Sequence, residues 1–200
     1  MISPAKDILV VMAKAPVSGQ VKTRLCPPLS PGQAAAIYDC FLKDRLREMS
    51  DLAGCDRAIA YMPQTAMSRF ETYANGSFDI FPQRGNDLGN RMHNIFVDRF
   101  REGFVGVVII GSDSPDLPKS IITESFQRLS CGKTEVVIGP ATDGGYYLVG
   151  MKRIYPELFA DVPWSTDKVL TTTLEIARSL GLRTDLLPEW SDIDTYHNLL

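Results

Sequence analysis

No aspartate or glutamate occurs between Asp7 and Asp39, although acidic residues outnumber basic ones, 24 to 21, over the 200-residue chain. Positive charge in that interval therefore has no local neutralising partner. Other scarcities are as informative. Two histidines, His93 and His197, are too few for a histidine-rich zinc site, and they are read as structural or surface groups. The four cysteines (Cys26, Cys40, Cys55, Cys131) form no CxxC pair. They are expected to be reduced, mostly buried thiols of a cytoplasmic protein. No apolar run approaches the length of a membrane span, and "MISPAKD" lacks a long apolar stretch behind a basic start, so no secretory leader is expected. A net charge of −3 argues against a broad nucleic-acid surface. Neither GxxxxGK[ST] nor GxGxxG is present, and there is no internal repeat.

What is there alternates. "ILVVMA" (8–13), "FVGVVIIG" (104–111) and "EVVIG" (135–139) are continuous apolar runs rich in β-branched residues, the pattern of strands buried on both faces. "RAIAYMP" (57–63) and "FDIFP" (78–82) are weaker strands. Helices are expected between them. One opens at Ser30-Pro31 with Gln33 completing a capping box, and shows only core-facing periodicity. Others start near Asp87, after Pro118 and at Ser165. With 44% hydrophobic residues, the chain suits one α/β domain over 1–200. Its predicted architecture is three-layer α/β/α around a mostly parallel sheet with right-handed crossovers.

In such sheets ligands bind at the carboxyl ends of the strands. Four unusual stretches follow predicted strands there: "KAPVSGQVKTRL", "QRGNDLGNRM", "SDSPDLP" and "ATDGGYY". The first offers Gly19 for close backbone approach, with Lys14, Lys22 and Arg24. Cations in a loop without carboxylates suit polyphosphate oxygens; the alternative is a solvated surface loop. Asp113 sits at a strand tip, where a carboxylate can hold Mg²⁺ or Mn²⁺ against phosphates. Asp116 is read as the cap of the following helix. Gly144-Gly145 behind Asp143 is either a tight turn or a place where backbone meets ligand, with Asp143 a hydrogen-bond acceptor or base. Asp192 and Asp194 share a face if extended. One of them would complete the metal site, or Asp194 would cap a short terminal helix. Trp164 and Trp190 are core or lid aromatics.

Taken in order with "VPWST" and "DIDTYHNL", these stretches resemble the nucleotide-diphospho-sugar transferase (GT-A) superfamily over essentially the whole chain. More narrowly, they resemble a bacterial glycosyltransferase-like family related to phospholactate and molybdenum-cofactor guanylyltransferases. The resemblance implies that Lys14, Lys22 and Arg24 cradle nucleotide phosphates and that Gln83 and Gly89 contact the nucleobase. It implies Mg²⁺ or Mn²⁺ on Asp113 and Asp194, with Asp143, Gly144, Gly145 and Tyr146 facing a small-molecule acceptor. The glycine-rich first loop of familiar sugar nucleotidyltransferases is replaced here by "AKAPVSGQVKTRL". Metal-dependent transfer from a nucleotide sugar or a nucleoside triphosphate is expected, either glycosyl or nucleotidyl. The alternative is an inactive nucleotide-binding module serving a protein partner. A homodimer is a further expectation, since 200 residues leave little room for a separate acceptor domain.

Overall fold

The computed structural model describes residues 6–199; the stretch "MISPAKD", where no leader is expected, lies largely outside them. Seven strands form one sheet in the order β3-β2-β1-β4-β6-β5-β7. They are β1 (Asp7–Lys14), β2 (Cys55–Met62), β3 (Asp79–Pro82), β4 (Gly106–Ile110), β5 (Val136–Pro140), β6 (Tyr146–Met151) and β7 (Thr184–Leu186). β1 pairs in parallel with β2 and β4, β2 with β3, and β5 with β7, whereas β6 runs antiparallel between β4 and β5. The sheet is thus mostly parallel, as the apolar runs predict. β6 is reversed because the Asp143–Gly145 turn is too short for a crossover.

Period-two alternation divides the core. Leu9 and Val11 of β1 face one side, and Ile8 and Val10 the other. The first face is covered by α1 (Pro31–Ser50), α2 (Met67–Ala74) and α4 (Lys119–Ser130), through Leu42, Leu46, Phe70, Ile122 and Leu129. The second is covered by α3 (Leu88–Arg101) and α5 (Val169–Ser179), through Met92, Ile95, Phe96 and Ala177. A four-residue helix, α6 (Tyr196–Leu199), closes the described chain.

Caps explain several boundaries. Ser30 and Gln33 make the reciprocal capping box at α1, and Asp87 accepts from the Asn90 backbone N–H at α3. Elsewhere the expectations need correction. α5 begins at Val169, because Ser165 has φ +66° and its loop packs elsewhere. Asp116 does not cap α4: its carboxylate accepts from Trp190 Nε1 at 3.2 Å, and Pro118 stands at the cap position. Thr195, not Asp194, exchanges hydrogen bonds with Asn198 at the start of α6. The cysteines are free as expected, but Cys40 and Cys131 are exposed and the other two only partly covered.

Candidate active site

The carboxyl ends of β1, β2, β3 and β4 point the same way, and a cavity of about 600 Å³ opens above β1, β4 and the start of β6. That volume lies in the range of small-molecule sites. Lys14, Lys22, Arg24, Gln83, Asp113, Asp143, Gly145, Tyr146, Asp192 and Asp194 all line it.

At its floor is a charge cluster. After β1 the loop turns at Lys22, whose backbone is left-handed (φ 48°, ψ 38°), and enters a 3-10 turn over Thr23–Leu25. This conformation is unusual for a residue other than glycine and persists only where the surroundings dictate it. It drives the Lys22 side chain inward until it is 2% exposed. Its Nζ lies 2.6 Å from Asp113 Oδ1 and 2.8 Å from Asp194 Oδ1. Burial alone would lower the Lys22 pKa, but the two carboxylates outweigh it and hold the ammonium above its ordinary value. Arg24 Nη1 approaches Asp194 Oδ2 at 3.6 Å from a largely exposed position, so this outer contact is screened by water.

Three segments deliver these groups. Asp113 follows β4 directly. The loop behind it is anchored from α1: fully buried Arg45 donates to the carbonyls of Ser114 and Leu117, the latter at 2.7 Å. Tyr38 of the same helix shares a 2.7 Å hydrogen bond with Ser112 and accepts one from the Lys14 backbone N–H at 3.0 Å. α1 therefore does more than face the core. The third segment runs beside β5. Leu187 N–H donates to Ile138, Trp190 N–H to Pro140 and Ile193 N–H to Asp113, which carries Asp192 and Asp194 to the tip of β4. Asp192 accepts from Ser114 Oγ. Burial, reinforced by Asp113 and Asp194, pushes its pKa up to about 6 against the pull of Ser114 and Lys22.

The remaining predicted residues divide. Gln83 donates both amide hydrogens to backbone carbonyls, Ala60 at 2.7 Å and Ala13 at 3.2 Å, which leaves its oxygen as the free end. Asp143 accepts from the Gly145 N–H at 2.9 Å and so closes the turn between β5 and β6. Gly19 (φ +77°) turns the first loop but is not part of the cavity wall. Gly89 and Gly144 also stand behind the wall. A Cβ on Gly89 would meet Trp164 Nε1 at 2.3 Å, and one on Gly144 would meet the Asp167 carbonyl oxygen at 2.2 Å. These glycines seat the loop 163–168, which brings Trp164, Ser165, Thr166 and Asp167 to the cavity. Trp164 packs edge-on against Tyr146, ring centroids 6.3 Å apart. The Tyr146 hydroxyl is buried without a hydrogen-bond partner of good geometry, and burial raises its pKa.

Sequence reasoning missed Tyr38, Ser114, Arg91 and Asp167. Arg91 was detectable in "GNDLGNRM": it lies one helical turn beyond Asp87 and reaches the cavity beside Met62 Sδ.

Among the described residues no group of three or more His, Cys, Asp or Glu is gathered as a metal cage. A hard cation such as Mg²⁺ uses one or two protein carboxylates and takes the rest of its shell from water and substrate. Asp113 and Asp194 converge on a single cationic atom, so the donor set fits such an ion.

Known proteins share the fold. The profile of a bacterial family described as "uncharacterized protein conserved in bacteria (DUF2064)" matches residues 45–166. A structure from Desulfovibrio desulfuricans G20, provisionally described as a nucleotide-diphospho-sugar transferase, is 32% identical with a TM-score of 0.91, over 98% of this chain and 85% of that one. The CMP:2-keto-3-deoxy-manno-octonic acid synthetase solved with CTP is 12% identical with a TM-score of 0.62, over 98% and 95%. A Mycobacterium tuberculosis H37Rv protein solved with manganese is 15% identical with a TM-score of 0.59, over 98% and 96%. The last two likenesses concern the fold alone. No curated protein sequence matches the chain. The fold is that of the nucleotide-diphospho-sugar transferases.

Proposed function

The chain belongs to the bacterial family described as "uncharacterized protein conserved in bacteria (DUF2064)", and from that premise we propose that it is a divalent-metal-dependent transferase. Its substrate is a nucleotide sugar or a nucleoside triphosphate, and one domain carries the whole site. The observation that carries this reading is the convergence of Asp113 and Asp194 on one cation position, 2.6 and 2.8 Å from Lys22 Nζ, below a cavity rimmed by Lys14, Arg24 and Arg91.

In this reading Asp113 and Asp194 hold Mg²⁺ or Mn²⁺, which when bound supplies charge neutralisation at phosphate oxygens. Lys14, Lys22 and Arg24 bind the phosphates and stabilise the charge that builds on the leaving group. Gln83, with its amide hydrogens already engaged, presents an acceptor to the base. Asp143 and the aromatic pair Tyr146–Trp164 face the acceptor. For nucleotidyl transfer an anionic acceptor needs no base. For glycosyl transfer by inversion Asp143 takes the proton of the attacking hydroxyl.

Thermal unfolding with a panel of nucleoside triphosphates and nucleotide sugars, each with and without Mg²⁺, tests the proposal. A ligand at a hundred times its Kd adds about 2.7 kcal/mol. A metal-dependent rise with a triphosphate selects nucleotidyl transfer; a rise only with a nucleotide sugar selects glycosyl transfer. Asp113→Ala should abolish the metal-dependent part and lower turnover by about a hundredfold or more. No rise with any ligand would overturn the proposal. Tight binding without turnover across acceptors would replace it with the inactive binding module.

A further inference from the structure

Lys22 stands where two carboxylates meet. Its ammonium touches Asp113 and Asp194 at once, its side chain is 2% exposed, and a left-handed backbone aims it there. An ion bridging Asp113 Oδ1 and Asp194 Oδ1 would have to stand where the ammonium now stands. Resting on the reading of Asp113 and Asp194 as metal ligands, we propose that Lys22 is an internal competitor of the metal. In the free protein it occupies the position of the ion and keeps the two carboxylates facing one point. When a divalent ion takes the carboxylates, the ammonium leaves them and turns to the substrate phosphates in the same cavity.

The charges make this exchange workable. Asp113 and Asp194 carry two negative charges against one buried positive charge, and Arg24 adds only a screened contact at 3.6 Å. The free site is satisfied but not over-neutralised, so a divalent ion can still enter. Asp192 stands behind the pair, held by Ser114 Oγ. Once displaced, Lys22 lies among the cavity-lining cations Lys14, Arg24 and Arg91. A polyphosphate would then find one more positive group than the free protein exposes. Metal should accordingly bind weakly alone and more tightly together with a phosphate-bearing ligand.

Mn²⁺ alone, titrated by electron paramagnetic resonance on the full chain, tests the competition without reference to turnover. Lys22→Gln should bind Mn²⁺ at least about tenfold more tightly than the native protein, since a charge in contact with both ligands is gone. Arg24→Gln, which removes an exposed charge from the same carboxylate, should change affinity by less than about threefold. Affinity unchanged or weaker in a folded Lys22→Gln protein would overturn the proposal, because a competitor in contact with both ligands must raise metal affinity when it is removed. Should that variant fail to fold, the native chain still decides. Lys22 should resist acylation of its amine in chelator and become reactive at saturating Mg²⁺; continued protection with metal bound would overturn the exchange. Tighter Mn²⁺ binding in Lys22→Gln without any nucleotide response would uphold the exchange and remove the transferase reading.

Discussion

Asp192 keeps a carboxyl group where its charge is poorly solvated. Burial moves its titration from 3.8 to about 6, so between those values the folded chain holds a proton that the unfolded chain has released. The associated stability is complete below about pH 4 and is lost as pH rises through about 6. In chelator, Asp192→Asn retains a partner for Ser114 Oγ and carries no charge to bury. Its unfolding midpoint should match that of the native protein near pH 4, pull ahead as pH rises from about 4 to about 6, and hold that lead above. Parallel midpoints across the range would refute this. At this scale the sequence was partly legible. Asp113 stood out because it follows a buried strand, and Lys22 because no carboxylate lies near it in the chain. Tyr38 did not, since its position on an amphipathic helix looks like any core position. Arg45 was hidden for the same reason: the carbonyls it anchors are 69 to 72 residues away.

Between residues and the whole fold, the loop 163–168 is held by two glycines that belong to other elements. Helix propensity alone favours Gly89→Ala by up to about 1 kcal/mol. The added methyl would lie 2.3 Å from the Trp164 ring, and overpacking of that kind costs about 1–3 kcal/mol. The clash should win, giving a net loss in urea unfolding of about 1 kcal/mol together with a change in tryptophan fluorescence as the ring shifts. A stabilised variant with native fluorescence would show that the loop is not pinned there. The strands over 8–13, 104–111 and 135–139 could be read from composition, since burial on both faces leaves a nearly unbroken apolar run. The existence of β7 could not. It depends on the edge that β5 leaves open after pairing with β6, and local sequence does not encode that. The start of α5 was misplaced because Ser165 is an N-cap by type, whereas tertiary packing on Gly144 fixes its backbone.

For the molecule as a whole, the order of elements along the chain matters as much as their placement. The stretch that supplies Asp192 and Asp194 follows all seven strands, and it reaches the site by pairing beside β5 and bonding to Asp113. A protein cut after Leu187 keeps every strand of the sheet but only one of the two carboxylates that face Lys22. It should show no Mn²⁺ signal at concentrations that saturate the native chain; native affinity would mean that the ion is held elsewhere. The same ordering bears on synthesis. A chain growing from the ribosome can lay down its sheet while Lys22 has only Asp113 for company, and the site closes when the later stretch emerges. On the function proposed above, the nascent protein should until then be unable to capture metal-bound nucleotide from the surrounding pool, and binding would begin only once translation has passed beyond the sheet.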